Sequence, residues 1–432
     1  DPAARTASGA LRVDVTNRAG QPLPEIYFHL YPNHPDYRGS LSVDDVLVNG
    51  QPAAISTAQG DIVLKVGLPQ PLAPDATAAI SMRFSARTPR GASGNGYGAF
   101  NQEAGVWALA TFYPVLVPIK GGEWQLAPVS SRGDFTVTDV ALYDVRVDAP
   151  DGWQIASTGA RVSSEPLAAG ARRERFVSGP QRDFMLTALS GLEQASGEVD
   201  GTRIVSYYQP GNAEAGARAL EAAQQAVRIF NERYGRYPLA ELEVVQAALT
   251  TFLGVEYPGI VLIEQRLYQG RNGLSTTVAH EVAHQWWYSQ VGNDAQRNPW
   301  LDEGLASYSQ IVYREGIGDA EGASSELQGF RDTYARAREQ GRDGASQRPA
   351  TQFSGNYVAL AYAKPALFLQ ALRNRIGDDA FFRGIQTYYA ANRYGDNASG
   401  DRLVEAMDGA CGCATRDLYE AWVLGNGPVE IP

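Results

Sequence analysis

A chain of 432 residues that is 44% hydrophobic, 20% charged and 10% aromatic, with a formal net charge of −11, has the composition of a folded globular protein and not of a disordered one. One hydrophobic core stops growing at roughly 250–300 residues, so two domains are expected. The acidic balance argues against a nucleic-acid partner, whose capture needs clustered Lys and Arg, and no stretch approaches the roughly 20 apolar residues of a transmembrane segment.

The chain opens on Asp1, and Lys65, Lys120 and Lys364 are its only lysines against 34 arginines. The non-Met start, the few lysines and a Cys-Gly-Cys near the end set the expectation of a processed or cut chain with an extracytoplasmic location, and a cytoplasmic one is the alternative. Residues 1–192 read as β structure. Apolar-alternating runs recur at Leu11–Val15, Glu25–Leu30, Asp61–Val66, Ala79–Phe84, Val140–Val147 and Phe184–Thr187, with Asn49-Gly50, Gly121-Gly122 and Asp151-Gly152 as turns between them. That rhythm predicts an antiparallel sheet or sandwich.

Residues 193–432 read differently. Asn212 can cap a helix to about Arg233 whose apolar stripe includes Leu220, Val227 and Phe230. Leu242–Leu249 and Gly259–Ile263 follow as strands. Helices are expected at about 275–290, 300–315, 320–340, 358–376, 378–391, 399–409 and 415–424, an α+β arrangement of a small sheet followed by a helix bundle. Cys411-Gly412-Cys413 supplies too few thiolates for a structural zinc site and is either two thiols or one local bridge.

The chemistry concentrates in His280-Glu281-Val282-Ala283-His284, which holds two of only four histidines. Positions i and i+4 of a helix project from one face, so the two imidazoles can share a small cation, and zinc suits neutral imidazole. Glu281, one step round the helix, reaches past the imidazoles toward water as a general base. Past eighteen intervening residues after His284, at the start of the next expected helix, stands Glu303. It either completes a His₂Glu site or is an ordinary acid at a helix N-terminus, the role that also suits Asp302.

The run Val278–Trp287, together with Trp300-Leu301-Asp302-Glu303-Gly304, resembles the gluzincin aminopeptidases, the family of membrane alanyl aminopeptidase and leukotriene hydrolase, whose pattern is HExxH, eighteen residues, then Glu in a WLNEG-like context. Leu23–Asn33 resembles the family's saddle-shaped β domain, and Trp422–Pro428 its catalytic-domain terminus. The resemblance implies a β saddle over residues 1–192 and a thermolysin-like catalytic domain over 193–432, in a short form without the C-terminal helical domain. It implies one zinc ion per chain held by His280, His284 and Glu303, with Glu281 as general base. In Leu253-Gly254-Val255-Glu256-Tyr257-Pro258, which matches a GAMENP-like stretch, Glu256 takes the place of the Glu that holds the substrate's α-ammonium. Gly254 and Val255 would line the peptide's backbone. Tyr362, before Lys364-Pro365, takes the place of the tyrosine that donates to the oxyanion. By residue type alone the preferred reading of Tyr362, one of 22 tyrosines, is a packed aromatic.

The expected activity is therefore zinc-dependent hydrolysis of the first peptide bond of peptides with a free amino terminus. The rival readings are a zinc endopeptidase or an epoxide hydrolase of the same class, and a scaffold that kept the fold without turnover. The family's second amine-gripping side chain, a Gln or Glu from the β domain, is left unassigned around Gln102, Glu103 and Phe112-Tyr113-Pro114.

Overall fold

The computed structural model describes residues 1–91, 98–127, 133, 136–270, 272–395, 398–426 and 429–430. Gly427 and Pro428, part of the terminal resemblance, lie outside them. Up to Ser190 the described elements are almost entirely strands. Thr6–Thr16, Thr77–Arg87, Ser40–Val48 and Gln51–Pro52 form one antiparallel sheet, and Val115–Leu116, Leu23–His29, Val63–Leu72 and Ile55–Ala58 a second. Two further antiparallel sheets are built on Ala171–Gln181 and Leu186–Ser190. Inward Val, Ile and Phe alternate with outward polar residues along these strands, as in Thr77–Arg87, where Ala78, Ile80 and Met82 are buried and Thr77 and Arg83 are exposed. The run expected at Phe184–Thr187 enters its strand only at Leu186. Gln181 ends one strand, and the residues between are a connector.

The next sheet carries the architecture. Its strand order is Glu193–Val199, Thr202–Tyr208, Glu241–Ala247, Ile260–Glu264, Gly254–Tyr257. The three central strands run parallel and the two outer ones antiparallel to their neighbours. Two of these five strands matched the expected apolar runs. Gly254–Tyr257 was anticipated only from the resemblance. The helix Ala213–Arg233 makes the crossover that a parallel pair requires. Its Asn212 does not cap it, and instead donates from Nδ2 to Gln246 Oε1 at 3.2 Å.

Both faces of this central sheet are covered, which explains its near-continuous apolar runs. Ile204, Leu242, Val244, Val261 and Ile263 face a core shared with the helices. Val205, Tyr207, Val245, Ile260 and Leu262 face a core shared with the β region.

The helices follow as Leu274–Ala283, Trp300–Gly316, Ala320–Glu339, Lys364–Ile376, Asp378–Asn392, Gly400–Cys411 and Arg416–Tyr419. The first of them stops well short of the expected residue 290. Gln285 N bonds to Val282 O and Trp286 N to Ala283 O, which tightens the chain into turns. Val358–Ala363 and Glu420–Leu424 are π-helical where an α-helix was expected. Cys411 and Cys413 are bridged. No helix among the described residues is long and apolar enough to cross a membrane.

Candidate metal centre

Leu274–Ala283 packs against both the first helix and Trp300–Gly316, with Val278, Ala279, Val282 and Ala283 all buried. That packing sends the opposite stripe, His280, Glu281 and His284, toward the edge strand Gly254–Tyr257 and toward Glu303. His280 is 8% and His284 1% exposed. Nε2 of His280 and Nε2 of His284 lie 3.2 Å apart. Glu303 Oε2 is 3.3 Å from the first and 3.5 Å from the second. A tetrahedral zinc site with bonds of 2.0–2.1 Å has edges of about 3.3–3.4 Å, so the triangle fits one face of such a site. Glu303 Oε2 is buried and takes no hydrogen bond, as suits an oxygen kept for a cation.

The outer ring atoms are held as metal-binding histidines require. His284 Nδ1 lies 3.0 Å from Trp287 O and donates to it. His280 Nδ1 lies 3.1 Å from the Gln310 side-chain amide. With Nε2 reserved for a cation, Nδ1 carries the proton and the amide must present its oxygen. Electrostatics agree. Burial resists charge on Glu303, yet the two imidazoles it faces hold its carboxyl well below the usual carboxylate range. Burial pushes His280 down. Burial also works against a charged His284, but Glu256, Glu303 and Glu281 together raise it well above the ordinary imidazole value. Three carboxylates thus favour one positive charge at this point.

Glu256 pairs with Val261 across the sheet edge and so shares the face turned to the helices. Its carboxylate is 4.0 Å from His284 Nδ1. Glu256, Glu281 and His284 have side-chain donor atoms within 4.8 Å of one another, all buried. Gly254 lies on the same face, so close to the helix that a Cβ there would collide with the Glu281 carboxylate. Val255 points the other way, into the core shared with the β region, so only its backbone can line this cleft. Tyr362 donates its hydroxyl to Glu303 Oε1, and its ring lies nearly parallel to that of His280, 6.1 Å between centroids. The structure therefore brings His280, His284, Glu303, Glu281, Glu256 and Tyr362 into one cleft.

Several residues that shape this cleft carry no motif. Gln285, buried next to His284, accepts from Gly259 N at 2.8 Å and donates to Tyr257 O at 3.0 Å, which staples the Glu256 hairpin to the helix. Glu264 accepts from Leu249 N and Thr250 N at 2.7 and 3.0 Å and so organises the loop leading to Gly254. A Cβ on Gly304 would collide with Pro365, and this close approach seats the Tyr362 turn over Glu303. Only Gln310 had a readable signal, seven residues past Glu303 and thus on the same helical face.

Residues 218–422 match the model of the Peptidase family M1 domain. That match takes in just under half of the chain. That M1 segment contains every candidate site residue. Among curated relatives, the chain is 24% identical over 245 residues to "Aminopeptidase M1-B" of Oryza sativa subsp. japonica, covering 53% of this chain and 28% of that protein. It is 26% identical over 227 residues to "Aminopeptidase N" of Lactobacillus helveticus, covering 48% and 26%. The chain thus spans less than a third of the length of these curated relatives. A solved M1 zinc metallopeptidase from Deinococcus radiodurans superposes with a TM-score of 0.74 at 22% identity, covering 98% of this chain and 91% of that one. Mutant structures of a two-domain M1 zinc metallopeptidase, bound to L-tryptophan and to L-arginine, also match, each with a TM-score of 0.74 at 22% identity, covering 99% of this chain and 92% of that one. The likeness extends the shared fold over 98% of this chain, β region included.

Proposed function

We propose that this chain is a zinc-dependent aminopeptidase, with residues 1–192 as a β domain and 193–432 as the catalytic domain. The observation that carries the reading is Glu256. A buried carboxylate reaches the cleft from a sheet edge, beside the general-base candidate Glu281, where the amino terminus of a peptide would end. A buried ammonium needs such a partner, and the pairing limits cleavage to the first bond. The free amino acids bound to the two-domain neighbour are consistent with that choice.

His280, His284 and Glu303 hold one zinc ion per chain. When bound, zinc supplies a Lewis acid for the scissile carbonyl and acidifies water toward a pKa of roughly 7. Glu281 takes a proton from the attacking water and returns it to the departing amine. The open edge of Gly254–Tyr257 aligns the peptide backbone, with Gly254 leaving room beside Glu281. The Tyr362 hydroxyl, now on Glu303, turns to the oxyanion as it forms, where a fixed donor counts most.

A panel of aminoacyl amides and short peptides, each with a free or an acetylated amino terminus and run with and without a chelator, tests the reading. The expected result is chelator-sensitive release of the first residue from free peptides only. Equal cleavage of acetylated peptides would make the chain an endopeptidase, and no turnover at full zinc loading would make it a scaffold.

A further inference from the structure

Tyr288, four residues past His284, has a backbone φ of 145°, a region where a bulky L-residue stays only when its surroundings hold it. Its N-terminal peptide link carries Trp287 O, the acceptor of the His284 Nδ1 proton. Rotating Tyr288 back to an ordinary φ would swing that link and take the carbonyl off the ring. What prevents this comes from the other half of the molecule. Arg182 Nε donates to Tyr288 O at 2.9 Å, Tyr288 donates its hydroxyl to Asp183, and Ser289 Oγ donates to Gln181 Oε1 at 3.0 Å. Gln181, Arg182 and Asp183 are 0%, 5% and 1% exposed. The guanidinium also reaches Gly395 O at 2.9 Å and lies flat on Gly292, where a Cβ would collide with it.

The connector is itself fixed from behind. Phe184 N donates to the Tyr113 hydroxyl at 3.1 Å and Met185 N to Thr158 Oγ1 at 3.0 Å. It is therefore a rigid strap and not a loose tether. We propose that Gln181-Arg182-Asp183 is a positioning strap through which the β region sets the orientation of His284 and hence the affinity and geometry of the zinc site. Arg182 and Asp183 act through Tyr288 and the Trp287 carbonyl, and neither meets substrate or metal. The inference rests on the zinc reading above and adds to it a role for residues outside the M1 segment.

The test uses the full chain as parent, Arg182→Lys, Tyr288→Phe, and Leu64→Ala as a core truncation remote from the strap. Two quantities are read: zinc affinity by competition with a chelator, and the visible spectrum of the cobalt-substituted protein. Loss of an outer-shell partner typically weakens metal binding by about 10–100-fold. We expect about 10-fold for Arg182→Lys, several-fold for Tyr288→Phe, and a displaced cobalt band in both. Leu64→Ala should lower the melting temperature and leave affinity and spectrum unchanged. Should Arg182→Lys fail to fold, Tyr288→Phe decides alone. Strap variants that match the parent within twofold and keep its cobalt spectrum overturn the strap and leave the zinc site standing. A parent that takes up no zinc overturns both.

Discussion

Glu303 and Glu243 are both carboxylates sealed from solvent, in different surroundings. Glu303 faces two imidazoles on the helical side of the central sheet, and its pKa is driven down. Glu243 alternates with Leu242 and Val244 and so faces the β region, where burial, helped by Glu241, pushes it up to about 8 against the pull of Arg203. Depth alone does not mark a working acid. The groups it meets decide whether the buried site holds a cation or a proton.

The largest effect that sharpens this contrast is expected at Glu281. Glu281→Gln should retain zinc and lose about 10³–10⁴-fold in kcat, as removal of a general base does. Near-native turnover with zinc in place would break the assignment. Tyr362→Phe follows, with about 10²–10³-fold lost from kcat and little change in KM. A rise in KM alone would return Tyr362 to a packing role. Glu256→Gln should cost about 10²-fold in kcat/KM on peptides with free amino termini and much less on acetylated ones, so a parallel loss on both would remove the amine anchor. The smallest effect is expected at Glu243. Its folded pKa of about 8 exceeds the ordinary 4.5, so the folded state holds the extra proton between those values. Its stabilising contribution is complete below about pH 4.5 and is lost as pH rises through 8. Glu243→Gln should therefore reduce the fall in stability between pH 5 and 9 by about 1–3 kcal/mol, read from urea unfolding. An unchanged slope would place the titration elsewhere.

The sequence made one side of this contrast legible and left the other nearly blank. His280, Glu281 and His284 announce themselves because helix periodicity ties spacing directly to a shared face, and Glu303 follows from the distance a turn needs. The seven later helices were readable from apolar stripes to within a few residues, except where His284 ends its helix early and where Val358–Ala363 widens to a π-turn around Tyr362. Glu256 needed a family resemblance, since a single Glu at a strand end has many uses. Gln310 had only its place on the helical face of Glu303 to mark it, and Gln285 stayed hidden, because an amide side chain gains meaning only from the backbone or ring it meets. So did Glu243, whose neighbours come from three strands far apart in the chain. In the β region the strands were legible and their partners were not, because alternation shows which side of a strand is inward but not which sheet it joins.

The central sheet has a practical consequence. Its lower surface, Val205, Tyr207, Val245, Ile260 and Leu262, belongs to the hydrophobic interior of the amino-terminal half. A recombinant fragment begun at residue 193 would present that surface to water as an uncovered greasy plate. Such a fragment should precipitate or self-associate however intact its candidate metal ligands, so biochemists wanting the proposed metal centre in isolation will need to keep both halves or redesign those five side chains.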